Sequence, residues 1–179
     1  AIYVDQGRLA EGAAAFAQAV AVDPNLAEAH LNLGLGLQKQ GKLAAAAEAF
    51  REAAARSPEV APTHSRALQR LALSLRDLKR FEEEIETWQR LVALTPHSHQ
   101  LHMEIGAAYK SAGRAEETIA AFSKAAELEP RNPQAFVNLG YALRAAARLD
   151  ECIACFAKAA ELRPNEPAGH TNLGIMLSD

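Results

Sequence analysis

The sequence predicts an all-α fold, an α-solenoid of stacked antiparallel helix pairs, and three observations carry that expectation. The prolines that follow apolar segments, Pro24, Pro58, Pro96, Pro130 and Pro164, stand 34, 38, 34 and 34 residues apart. A fixed period of this size marks a repeat architecture. Eight residues before each proline lies a large aromatic: Phe16, Phe50, Trp88, Phe122 and Phe156. Between these landmarks the chain is rich in alanine and other helix formers and poor in strand formers, with aromatic residues at 6%.

Each repeat reads as two helices and a tight turn. The first helix pairs an apolar anchor with a small residue, in Leu33-Gly34, Leu71-Ala72, Ile105-Gly106, Leu139-Gly140 and Leu173-Gly174. The small residue lets a second helix approach closely. The anchor, fully buried, stabilises by roughly 1.5 to 3 kcal/mol. Gly7, Gly41 and Gly113 then stand where a first helix must stop and the chain reverse with a positive φ. In the second helix the aromatic is followed by Ala19, Ala53, Leu91, Ala125 or Ala159, five residues before the proline. The chain divides accordingly into a partial repeat at 1–26, full repeats at 27–60, 65–98, 99–132 and 133–166, and a partial repeat at 167–179. One helix pair cannot bury its apolar face alone, so neighbouring pairs must stack around a continuous core.

The interval of 38 places four extra residues, Ala61, Pro62, Thr63 and His64, before the third repeat. Four residues are about one helical turn and proline is well tolerated at a helix start, so the first helix of this repeat is expected to be longer at its N-terminus. A longer loop is the alternative. The same repeat has Glu84 where the others carry Gly12, Ala46, Thr118 and Cys152, and Lys79 where three others have glycine. A carboxylate in a close-packed slot needs solvent or a partner, for which Arg80, Lys79 and Arg90 are at hand. Looser packing or an altered twist is expected there.

From Leu33-Gly34 through Gly41, Ala46, Phe50 and Ala53 to Pro58, residues and spacings resemble the tetratricopeptide repeat, and the resemblance runs along essentially the whole chain. It implies a right-handed superhelix whose first helices line a concave face that binds extended or helical segments of partner proteins. Carried over position by position, it nominates Leu31, Asn32 and Leu35 in one repeat and Arg66, Arg70 and Leu73 in the next. Met103 and Glu104 follow, then Val137, Asn138, Tyr141 and Arg144, and Asn172 in the last helix. The face so drawn mixes apolar patches with amides and arginines, which suits peptide recognition.

Two finer resemblances touch these residues. Asn32 with Arg66 and Arg70 resembles part of the carboxylate clamp of chaperone-binding tetratricopeptide proteins, although the clamp's lysine position would precede the chain and Ala1 occupies the other asparagine position. A solvated basic helix face is the plainer reading. Asn32, Asn138 and Asn172 share one place in their repeats, interrupted by Arg70 and Glu104. That ladder resembles the groove of O-linked N-acetylglucosamine transferases, where amides pair with a peptide backbone, since an amide donates and accepts at once. The alternative is hydrogen bonding within or between neighbouring helices.

Other constellations are expected to be structural. A formal net charge of −3 supplies no field to gather nucleic acid or an acidic membrane, and no apolar run reaches the 18 to 20 residues that span a bilayer. Cys152 and Cys155 form a CxxC, but inside a second helix rather than at a helix start after a strand, and no second pair completes a zinc site. Two cysteines cannot build a disulfide framework, which favours a reducing compartment and a cytoplasmic location. His97, His99 and His102 have metal-like spacing, but no cysteine or well-placed carboxylate joins them, and His30, His102 and His170 recur in one helical phase. Glu82, Glu83, Glu84 and Glu86 splay over different faces of a helix and read as solvated. With no phosphate loop, nucleophile elbow or triad, the sequence points to a binding scaffold without cofactor or metal. Two other readings stand beside it. The chain is the substrate-recruiting arm of a larger enzyme such as a glycosyltransferase, since both ends interrupt a repeat, or it self-associates through the terminal helix at 167–178.

Overall fold

The computed structural model describes residues 2–165, 171 and 173–175; the described residues contain α-helices α1 to α9, further helical residues at 171 and 173–175, and no strand. Two compact units divide the chain, residues 1–94 and 95–179. The first holds α1 (Ile2–Val22), α2 (Ala27–Lys39), α3 (Leu43–Arg56), α4 (Pro62–Asp77) and α5 (Phe81–Leu94). Each packs on the next, and α2 also touches α4. The second holds α6 (His99–Ser111), α7 (Ala115–Leu128), α8 (Pro133–Ala145) and α9 (Leu149–Leu162), again packed in succession. No helix among the described residues is long and apolar enough to cross a membrane.

Close approach within each hairpin rests on the small residue of the first helix. A Cβ built on Gly34 would lie 2.5 Å from Phe50 Cε1, one on Gly106 2.7 Å from Phe122 Cε1, and one on Gly140 2.8 Å from Phe156 Cε1. All three rings are buried, as is Trp88, which has Ala72 in place of the glycine. Phe16, on a helix with no first helix before it among the described residues, remains 36% exposed.

The turn between the two helices has one geometry in all four full repeats. At the first, Gly41 N–H donates to Gln38 O and Lys42 N–H to Leu37 O, and the same pair of bonds recurs at Lys79-Arg80, Gly113-Arg114 and Ala147-Arg148. The residue in the middle has a positive φ each time: 76° at Gly41, 59° at Lys79, 74° at Gly113 and 58° at Ala147. The bond from the second residue back across five satisfies a helix-end carbonyl and fixes the reversal. Lys79 and Ala147 hold a left-handed conformation that costs an L-residue roughly 1 to 2 kcal/mol. Ala147→Gly should therefore raise unfolding stability by about 1 kcal/mol in urea titrations, an unchanged midpoint being the contrary result.

Gly7 departs from expectation. It lies inside the continuous helix α1, and no turn forms there. Glycine permits a reversal there without requiring one.

The four-residue insertion lengthens the first helix, as the position of Pro62 predicts. α4 has 16 residues against 13 in α2, α6 and α8, and Pro62 stands in its first turn. The added turn fastens α4 to its neighbours. Buried His64 donates from Nδ1 to Ala54 O at 3.0 Å, with Ser57 O at 3.2 Å, and so covers the last carbonyls of α3. Thr63 Oγ1 donates to Glu28 of α2.

Packing around Glu84 is tight, contrary to the looseness expected. Glu84 is 0% exposed, and Ile85, Trp88 and Leu91 beside it are also buried. Its partner is none of the three cations nearest in sequence. Arg76 Nε, on α4, donates to Glu84 Oε1 at 2.7 Å, and Trp88 Nε1 donates to the same oxygen at 3.2 Å. Arg80 turns instead to Glu83, with two bonds of 2.6 and 2.7 Å.

Candidate functional site

The nominated residues separate into three classes once packing is known. Leu31 is 1% exposed and belongs to the core, so it is withdrawn as a contact residue. The reason is helical phase. Its place lies three residues before Gly34, on the face that meets Phe50. Met103 and Val137 hold the same place before Gly106 and Gly140. Both are half-buried and pack against the cluster built on Ile119, Phe122, Leu139 and Phe156.

In the first unit Asn32, Leu35 and Leu73 are half-buried, while Arg66 and Arg70 are exposed. Arg66 lies 3.9 Å from Glu28, the carboxylate that also receives Thr63. In the second unit Glu104 and Asn138 are half-buried, Arg144 is exposed and Tyr141 is 42% exposed. Asn172 lies outside the described residues.

Two cavities open beside Tyr141 in this second unit. One, of about 190 Å³, is lined by Gly113, Ala115 and Thr118 together with Ala142 and Ala145 of α8. The other, of about 360 Å³, is lined by Ala107, Ser111, Phe122 and Asn138. Lys110 and Tyr141 border both. The Tyr141 ring, which borders both spaces, packs edge-on against Phe156, with centroids 5.3 Å apart. Phe156 is thus both the filler of the Gly140 contact and the support of an exposed ring. The 34-residue spacing found the first role and missed the second.

Asn138 shows what its place in the ladder does here. Gln134 Nε2, one turn earlier on α8, donates to Asn138 Oδ1 at 2.9 Å. The amide is partly engaged within its own helix, and its nitrogen makes no hydrogen bond to a described residue.

The remaining constellations have structural partners. His30 Nε2 donates to Pro24 O and His102 Nε2 to Pro96 O, each at 2.9 Å, so the recurring histidine closes the preceding loop. His99 Nε2 lies 2.8 Å from Glu129 Oε2. His170 lies outside the described residues. Cys152 is buried in the Phe122 and Phe156 cluster and Cys155 half-buried; neither is in a disulfide. Burial pushes the Cys155 thiol up to about 11, helped by neighbouring Cys152 and Glu151, and burial also raises Cys152. Neither is poised as a thiolate nucleophile.

Of the acidic cluster only Glu82 and Glu86 are exposed. Glu83 bridges Arg80 to Arg51 of α3, whose Nη2 is 3.1 Å away. A periodic pairing that sequence reasoning overlooked accounts for Glu83: Arg80-Glu83, Arg114-Glu117 and Arg148-Glu151 repeat at 34-residue intervals. The hydrogen bond from Arg114 holds the Glu117 carboxyl below its ordinary range, and that from Arg148 does the same for Glu151. The arginine in each case follows the positive-φ residue, so the pair tethers the turn to the second helix.

Known sequences and structures agree with this architecture. The pattern described as TPR repeat matches residues 1–41, and two described as tetratricopeptide repeat match 31–99 and 109–173. No curated protein sequence matches. Among solved structures, that of MamA is similar over 89% of this chain and 91% of its own, with 22% identity and a TM-score of 0.76. A MamA fragment from Desulfovibrio magneticus RS-1 covers 91% of this chain and 90% of its own at 21% identity and a TM-score of 0.74. YrrB, described as a TPR protein with an unusual peptide-binding site, covers 95% of this chain and 86% of its own at 18% identity and a TM-score of 0.76. At such identities the likeness concerns the fold, an all-α solenoid of helix pairs. With the proline period, the glycine-aromatic contacts and the repeated turn in place, the chain belongs to the tetratricopeptide-repeat family.

Proposed function

We propose that the chain is a protein-interaction scaffold that holds a peptide segment of a partner protein against its first helices, with the face of α6 and α8 around Tyr141 as the principal site. The carrying observation is the pair of cavities that share a half-exposed, ring-supported tyrosine in their lining. Side-chain-sized apolar hollows beside a rigid aromatic supply anchor pockets, and amide and ammonium groups at their edge supply orientation. YrrB, a neighbour in fold, is described as having a peptide-binding site, which supports the class of ligand. Asn32, Leu35, Arg66, Arg70 and Leu73 form the corresponding face of the first unit, with Glu104, Arg144 and Asn172 as further contributors. The unpaired thiols suit a reducing, cytoplasmic setting.

A random dodecapeptide library displayed on phage and panned on the purified chain provides the test. Enrichment of peptides that bind the wild type and lose affinity by about tenfold or more on Tyr141→Ala is the expected result, since an aromatic anchor carries about 2 kcal/mol or more of binding. Unaltered helicity of the variant by circular dichroism is required. Peptides indifferent to Tyr141→Ala would place binding elsewhere.

A further inference from the structure

The two cavities beside Tyr141 are chemically one-sided. Among the described residues that line them, Lys110 is the sole charged side chain, it borders both, and it makes no ion pair with a described residue. One other polar group of the larger cavity reinforces its sign. Asn138 has its carbonyl oxygen occupied by Gln134, so what it offers is its NH2 group. Ser111 donates its hydroxyl proton to Ala107 O at 3.0 Å and adds no donor there. An ammonium and an amide NH2 at one cavity demand an acceptor, and the uncompensated charge demands a negative one. The smaller cavity, lined by Gly113, Ala115, Ala142 and Ala145 with Thr118, demands an apolar group instead.

From this we infer that the site selects a peptide in which a bulky apolar residue stands next to an aspartate or glutamate, the apolar side chain entering the smaller cavity and the carboxylate meeting Lys110 and Asn138 at the larger. The acid belongs to an internal side chain and not to a chain end. Lys110 lies on the border of two cavities, and a peptide that fills both continues past the cation on either side. The inference rests on the peptide-binding reading above and adds the ligand's chemistry to it.

The experiment uses the same phage library, whose peptides are fused through their C-termini to the coat protein and so carry no free terminal carboxylate. Enriched peptides should share an apolar-acidic pair. As free synthetic peptides with amidated C-termini they should bind about tenfold or more weakly to Lys110→Glu, where like charges face each other, and more weakly in raised salt. Exchanging the peptide's acid for lysine should recover binding to Lys110→Glu and lose it on the wild type, a reversal that mere misfolding of the variant cannot produce. Peptides that need Tyr141 but show no acid, or no reversal, would overturn the inference and leave the binding site standing. Peptides obtained only from a library with free C-termini would overturn the internal-acid assignment. A library that yields no peptide dependent on Tyr141 would remove both.

Discussion

Gly34→Val is expected to lower the unfolding free energy by about 3 kcal/mol, while Gly12→Ala raises it by about 0.5 to 1 kcal/mol, although both replace a helical glycine. Propensity alone favours any residue over glycine in a helix interior, so the sign at Gly34 is decided by space. A Cβ there would sit 2.5 Å from one Phe50 ring carbon and 2.6 Å from another, and Phe50 is itself fully enclosed. A buried ring has no solvent to swing into, and Ala46, Ala49 and Ala53 on the same helix are buried with it. Valine adds two methyl groups to that collision and forfeits the propensity gain through its branched Cβ. At Gly12, by contrast, nothing lies within 4 Å of the added atom. Urea unfolding followed by far-ultraviolet circular dichroism reads both signs. A Gly34→Val midpoint equal to wild type would mean that the α2-α3 contact is not the tight joint its geometry describes.

The same contact explains what could be read from the sequence. Proline, aromatic and small residue each occupy a fixed place because each serves a steric function that recurs in every repeat, so their period was visible without coordinates. The lengthened α4 was equally readable, since about one helical turn opened by a tolerated proline leaves the buried face in phase. The turn at Ala147 was not. Its left-handed residue is imposed by the bonds from Ala147 N–H and Arg148 N–H to the end of α8, and alanine carries no sign of that. Gly7 misled in the opposite sense, because glycine permits a turn without requiring one.

Site residues were harder to read than fold. The tetratricopeptide resemblance nominates places along a first helix, and two of them, Asn138 and Tyr141, line a common cavity. It also nominated Leu31, whose phase toward Phe50 takes it into the core. The resemblance also reaches Lys110, which holds in its repeat the place of Arg144 in the next, but its position at both cavities is seen only in the structure. Charge balance in a cavity is a property of what is missing around a group, and spacing does not report that.

Removing Arg76 should have the other large effect, a loss of about 3 to 5 kcal/mol in Arg76→Met, because it strands a buried carboxylate. Glu84 is fully enclosed, Oε1 receives Arg76 and Trp88, and Oε2 has no hydrogen-bond partner. With the guanidinium gone, the indole N–H alone faces the charge, which desolvation makes costly to keep. The guanidinium also lies 5.9 Å from the centre of the Trp88 ring, so methionine retains some of the packing but none of the charge. The decisive comparison is the double variant. Glu84 occupies the slot that Ala46 fills in α3, so Arg76→Met with Glu84→Ala converts the third repeat toward its neighbour's apolar joint. That pair should recover most of the lost stability, since replacing a buried ion pair as a whole is often neutral. Glu84→Ala alone leaves a small void and a half-exposed arginine that water can reach, and its cost should be smaller than that of Arg76→Met. Equal losses in the two single variants with simple addition in the double would show that the carboxylate is not held by Arg76, and would leave the tight packing of this repeat to its apolar residues alone.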